Sequence, residues 1–178
     1  YLRAGDYHDG RAWVQTEKFF GFLDLEGNMA IAPEFSAVGD FSEGLAPAKR
    51  KGVYGLINLS GNWVVQPNYF RIGSFRDSVA VVQEKGQYGL ITPEGSLLVK
   101  PNYREIADFS EGLVRFRRGM GYGFMDASGN VRVDDQYSNA KDFSCGRAAI
   151  FVQGKWGFID SAGREIVPPK YSKVHSFK

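Results

Sequence analysis

A chain of 178 residues fits one domain or one repeat array. Its 22 basic and 20 acidic side chains leave a net charge of +2, without the basic excess of a general polyanion binder. The single cysteine, Cys145, cannot form an internal disulfide, and His8 and His175 leave few parts for metal or triad chemistry. No apolar run approaches the ~20 residues of a membrane helix. The 22 glycines and 15% aromatic content suit short strands joined by tight turns. A start at Tyr1, without methionine, reads as excision or processing from something longer.

In chain order the elements recur with a period of 34 residues. The first unit, 7–40, runs Tyr7-His8-Asp9-Gly10, Phe20-Gly21, Phe22-Leu23-Asp24 with Gly27, then Pro33-Glu34-Phe35. The second, 41–74, runs Phe41-Ser42-Glu43-Gly44, Tyr54-Gly55, Leu56-Ile57-Asn58 with Gly61, then Pro67-Asn68-Tyr69. The third, 75–108, has Phe75-Arg76-Asp77-Ser78, Tyr88-Gly89, Leu90-Ile91-Thr92 with Gly95, then Pro101-Asn102-Tyr103. The fourth, 109–142, has Phe109-Ser110-Glu111-Gly112, Tyr122-Gly123, Phe124-Met125-Asp126 with Gly129, and Asp135-Gln136-Tyr137 where the others carry proline. The fifth, 143–176, has Phe143-Ser144-Cys145-Gly146, Trp156-Gly157, Phe158-Ile159-Asp160 with Gly163, then Pro169-Lys170-Tyr171. Phe177-Lys178 opens a sixth.

Glycine costs about 1 kcal/mol and proline about 3 in a helix interior, and no ordinary helix length escapes both. Helical repeats are therefore excluded. In the second unit Leu45–Lys49, Val53–Asn58 and Trp63–Gln66 read as strands, with turns at Arg50-Lys51-Gly52 and Leu59-Ser60-Gly61-Asn62. Pro67 is expected to stop the third strand because it cannot donate to a ladder. The class is all-β: five three-stranded units stacked as an elongated, twisted, solenoid-like array. A closed five-bladed propeller-like ring is the alternative, although 34 residues is short for a four-stranded blade. Gly21, Gly55, Gly89, Gly123 and Gly157, with Trp156, form the repeat's framework. Ala12, Ala46, Ala80, Val114 and Ala148 share a phase and suit close approach of the next layer.

Hydrolytic chemistry lacks an oriented base, so both histidines read as surface residues and Cys145 as an incidental thiol. The acidic row of Asp9, Glu43, Asp77 and Glu111 is either a turn position or a carboxylate stripe, and one oxygen per layer suits calcium poorly. Asp24, Asn58, Thr92, Asp126 and Asp160 read as turn residues accepting backbone N–H bonds. Asp134-Asp135, near Asp126, reads as a degenerate turn, with a metal or basic-partner contact as the alternative. Arg104, Arg115, Arg117, Arg118 and Arg132 concentrate where the repeat does not demand arginine. Positions equal in every unit serve stacking, so those that differ are free to encode a partner. Trp13, Trp63 and Phe70 are the apolar outliers, either core or aromatic anchors beside arginines.

Lys155-Trp156-Gly157-Phe158-Ile159-Asp160, with Gly163 and Pro169-Lys170-Tyr171, resembles the WG-repeat (KWG-type) β-repeat family. The resemblance spans essentially the whole chain, with Phe20, Tyr54, Tyr88 and Tyr122 replacing the tryptophan in the other units. It implies an interaction or scaffolding module within a larger bacterial protein and carries over no catalytic residue. The expected function is therefore a non-catalytic protein-interaction scaffold without cofactor or metal. Candidate binding residues are Trp13, Trp63, Phe70, Arg104, Arg115, Arg117 and Arg118. A protein is the expected partner, rather than nucleic acid, and no membrane span is expected. A glycan or cell-surface binder and a structural spacer are the rival readings.

Overall fold

The computed structural model describes residues 1–175. The opening of a sixth unit at Phe177-Lys178 lies outside the described residues. Five four-stranded antiparallel sheets follow one another along the chain, each confined to about one repeat. The first comprises β1 (Arg3–Ala4), β2 (Ala12–Gln15), β3 (Phe20–Leu23) and β4 (Met29–Phe35). The second comprises β5 (Ala37–Val38), β6 (Leu45–Arg50), β7 (Val53–Asn58) and β8 (Trp63–Tyr69). The third comprises β9 (Arg71–Ile72), β10 (Ala80–Glu84), β11 (Gln87–Ile91) and β12 (Leu97–Tyr103). The fourth comprises β13 (Glu105–Ile106), β14 (Leu113–Arg118), β15 (Gly121–Asp126) and β16 (Val131–Tyr137). The fifth comprises β17 (Asn139–Ala140), β18 (Arg147–Val152), β19 (Lys155–Asp160) and β20 (Glu165–Tyr171). Within each sheet the strands pair in chain order.

Two features differ from the reading of the sequence. Each unit has four strands rather than three, because a two-residue segment such as β5 pairs with the strand that follows it, Ala37 opposite Lys49 and Val38 opposite Ala48. And proline does not end the last strand. β8 runs through Pro67 to Tyr69, since the β7–β8 ladder bulges there: Tyr54 pairs with Tyr69 and Leu56 with Val65, so Gly55 alone faces Gln66, Pro67 and Asn68. A residue without an N–H fits a bulge, where no ladder bond is lost. The bulge also explains the framework glycine. A Cβ on Gly21, Gly55, Gly89, Gly123 or Gly157 would point into the carbonyl of Ile31, Val65, Val99, Val133 or Val167. It would also lie 2.8 Å from the nitrogen of Pro33, Pro67, Pro101, Asp135 or Pro169, in the same order. The glycine accommodates the bulged strand.

The chain forms two compact units, Tyr1–Gly86 with Leu90–Leu97, and Gln87–Gly89 with Leu98–Lys178. In the first, two apolar layers separate successive sheets. One joins Phe22, Ile31 and Phe35 to Phe41, Ala46, Ala48 and Ile57. The other joins Leu45, Leu56 and Tyr69 to Ile72, Phe75, Ala80, Val82 and Ile91. In the second unit Leu113, Phe124, Val133 and Tyr137 meet Ala140, Phe143, Ala148, Ile150 and Ile159. The phenylalanines opening the second and fifth repeats are knobs: Phe41 meets Phe22 edge-on, and Phe143 meets Phe124, both with centroids 4.8 Å apart. Ala12, Ala46, Ala80, Val114 and Ala148 are all at most 3% exposed, in keeping with their close-approach phase. Fully burying each large side chain contributes about 1.5–3 kcal/mol, so the interleaved layers hold the sheets together.

Candidate partner-binding face

Much of the sequence's polar patterning is spent inside the array. Asp9, Glu43, Asp77, Glu111 and Cys145 all take a left-handed φ of 49–54° in the turn before the strand. The carboxylate then reaches the turn of the next repeat. Asp9 accepts the Gly44 N–H at 2.7 Å, Glu43 that of Ser78 at 3.2 Å and Glu111 that of Gly146 at 2.8 Å. The hydroxyls of Ser42 and Ser110 add bonds to the Phe75 and Phe143 carbonyls, each 2.8 Å. Asp9, Glu43 and Glu111 of the acidic row are thus turn-to-turn latches. Among the described residues no group of three or more His, Cys, Asp or Glu side chains is placed to hold a metal ion.

The second turn of each unit works locally. The Asp24 carboxylate accepts the Asn28 N–H at 2.8 Å, and the Asn58, Asp126 and Asp160 side chains each accept two backbone N–H groups. At Asp160 the Arg164 N–H, opposed in part by burial and joined by the Arg164 guanidinium and the Ala162 N–H, holds the carboxyl below the ordinary value of 3.8. A carboxyl depressed in the folded state stabilises it above the unfolded value, and that contribution is lost as pH falls through the folded value. We therefore expect Asp160→Asn, which keeps an acceptor oxygen, to melt with a weaker dependence on pH below about 4 than the parent. Thermal melts across that acid range check this, and an unchanged dependence would dismiss Asp160 as a contributor.

The candidate binding residues divide into two groups. Trp13, half-buried against the first layer, donates its indole N–H to Asp40 Oδ1 at 3.0 Å. Arg115 occupies the same repeat phase and donates from Nε to Asp142 Oδ1 at 2.8 Å, again 27 residues on. It also pairs with Glu105 at 3.2 Å, reaches the Ala140 carbonyl and lies 5.3 Å from the Tyr122 ring centroid. Both departures from the repeat therefore do one job, clasping the leading loop of the following sheet. Trp63 packs against the first layer, edge-on to Phe35 and 5.3 Å beneath Arg50. Arg117 stacks on Tyr122 at 5.3 Å, as Lys49 does on Tyr54 at 5.2 Å and Lys141 on Trp156 at 5.7 Å. Arg118 makes a two-pronged pair with Asp135, and Arg132 binds Asp126 at 2.8 Å. The guanidinium of Arg118 holds the Asp135 carboxyl below its ordinary range. His8 and Cys145 are exposed, His8 standing 3.9 Å from Asp40.

Arg104 and Phe70 form the second group. Arg104 is exposed and, among the described residues, bonds through its backbone alone, to the Arg117 carbonyl at 2.9 Å. Phe70 is 68% exposed. Its neighbours in the first unit are strands that lead into or out of two hairpin turns: Tyr69 pairs with Tyr54, and the Phe70 N–H donates to the Gln83 carbonyl at 2.8 Å. Those hairpins turn through Lys51-Gly52 and Lys85-Gly86, with φ values of 52°, 90°, 48° and 81°. Positive φ at both central residues gives the tight turn whose twist suits paired strands. Both lysines are exposed, and so is Arg71, which pairs with Gln83 two residues before Lys85. Phe70 stands out when the units are compared, whereas Lys51, Lys85 and Arg71 do not. The 34-residue spacing of the two Lys-Gly pairs was the available signal.

Among solved structures the chain is similar to Hsv2p of Kluyveromyces lactis, at 12% identity and a TM-score of 0.53, covering 89% of this chain and 61% of that one. Hsv2 of Kluyvelomyces marxianus is similar too, at 12% identity and a TM-score of 0.50, covering 88% of this chain and 57% of that one. The chain thus spans less than two thirds of either. The likeness is to a β-propeller-like fold of four-stranded sheets and bears on fold alone. A search of curated proteins finds no match. The model of the WG containing repeat matches residues 20–54, 54–88, 88–119, 122–156 and 156–178. With five tandem matches across the same framework glycines, the chain belongs to the WG-containing repeat family.

Proposed function

We propose that the chain is a non-catalytic scaffold that binds another protein. The observation carrying this reading is the split between repeat-invariant and repeat-variable residues. Framework glycines, small residues and latching carboxylates are consumed by stacking, while Phe70 is 68% exposed at a phase held elsewhere by Ser36, Arg104, Ser138 and Ser172. An exposed aromatic that the fold does not use fits an interaction anchor. Repeat arrays supply rigid surfaces of this kind by adding layers.

The test is a crosslinked pull-down from lysate of the source organism, followed by reconstitution with the purified captured protein. A defined protein binding the chain at fixed stoichiometry is the expected outcome. Retention of glycan alone, or no defined protein at all, would sink the scaffold reading.

A further inference from the structure

Resting on the scaffold reading, the partner's chemistry follows from how charge is distributed along the strands of the first unit. The latches Asp9–Gly44 and Glu43–Ser78 align successive sheets end to end in the same sense. Antiparallel strands then gather two kinds of turn at opposite ends. One end carries Asp9, Asp24, Glu26, Glu43 and Asp77, with Arg11 and Arg76 among them. The other carries Lys18, Arg50, Lys51, Arg71 and Lys85, with Glu17, Glu34 and Glu84. At this second end Glu34 is taken by Arg50 at 2.6 Å, and Glu84 stands 3.8 Å from Lys85. Among the described residues Lys51 and Arg71 form no ion pair.

We propose that Lys51, Phe70, Arg71 and Lys85 form a docking site for an acidic segment of a partner protein, with an apolar side chain seated on Phe70. The lysine hairpins flank the ring, so carboxylates on either side of that apolar residue meet a cation each. Charge complementarity of this type steers encounter and fixes register, while the aromatic supplies the buried contact. A nucleic acid or an anionic membrane fits less well. Both reward an extended run of cations, and here Glu17, Glu34 and Glu84 interrupt the basic edge.

The experiment pans phage-displayed random dodecapeptides against the full chain and measures the enriched sequences as fluorescein-labelled peptides by anisotropy. Acid-rich peptides with a central apolar residue should emerge, and salt should weaken them. Phe70→Ala and the Lys51→Glu/Lys85→Glu pair should each reduce affinity on the order of tenfold, with Arg76→Glu at the opposite end unchanged. Phe70→Ser and Arg71→Glu provide a second route should the lysine pair disturb folding. The proposal falls if enriched peptides lack acidic residues, or if acidic peptides bind the variants undiminished. It falls equally if oligo-dT or phosphatidylserine vesicles are held at this site and peptides are not. Capture of the same stoichiometric protein partner by both parent and variants would overturn this site while leaving the scaffold reading intact.

Discussion

Gly123→Ala is expected to destabilise the chain by about 3 kcal/mol, the upper end of the usual cost of overpacking a core. The added methyl would lie 2.8 Å from the Asp135 nitrogen and 2.8 Å from Phe116 Cζ, and against the Val133 carbonyl. None of the three can easily give way. Phe116 is fully buried, Val133 is 4% exposed within its layer, and Asp135 is gripped by Arg118. The comparison that isolates the cause is Gly44→Ala. Gly44 has a φ of 77° and nothing within 4 Å of its virtual Cβ, so alanine there costs only the left-handed backbone term, about 1–2 kcal/mol. Urea denaturation of both variants decides the matter. If Gly123→Ala costs no more than Gly44→Ala, the bulge is not what requires the framework glycine.

The framework was legible because glycine and proline at fixed spacing exclude helices and punctuate strands without reference to tertiary contacts. What lay beyond the sequence shares one physical property: it depends on partners remote along the chain, from the neighbouring strand to the turn of the next repeat. A two-residue strand such as Ala37–Val38 has no periodicity of its own, and this is how 34 residues make four strands. Pro67 argued for a strand end by its missing N–H, yet the ladder had bulged where none was needed. The acidic row was rightly a turn position, but Asp9, Glu43 and Glu111 serve the next turn, 35 residues on, rather than their own. Trp13 and Arg115 share no chemistry except an N–H donor, so comparing units could not show that both clasp an aspartate. Phe70 was legible for the opposite reason: it departs from the serine or arginine of the other units at a phase where its side chain stands 68% exposed.

Arg115 carries the last prediction, because it separates a structural arginine from an interfacial one. Its side chain is 18% exposed and engages Glu105, Asp142 and the Ala140 carbonyl. Removing one member of a buried charge pair typically costs about 3–5 kcal/mol. Here both carboxylates are themselves well exposed, at 38% and 48%, so water recovers part of the loss and Arg115→Ala should cost about 2 kcal/mol. Arg118→Ala, whose side chain is 52% exposed, should cost under about 1 kcal/mol despite its two-pronged pair. Arg115→Lys should recover only part of the deficit, since an ammonium cannot reproduce the forked geometry. Denaturant melts of Arg115→Ala, Asp142→Ala and the double variant measure the coupling directly. Strong coupling would make any loss of partner binding in an Arg115 variant a consequence of weakened sheet docking. Absent coupling, together with full stability of Arg115→Ala, would return that guanidinium to the list of contacts a partner can use.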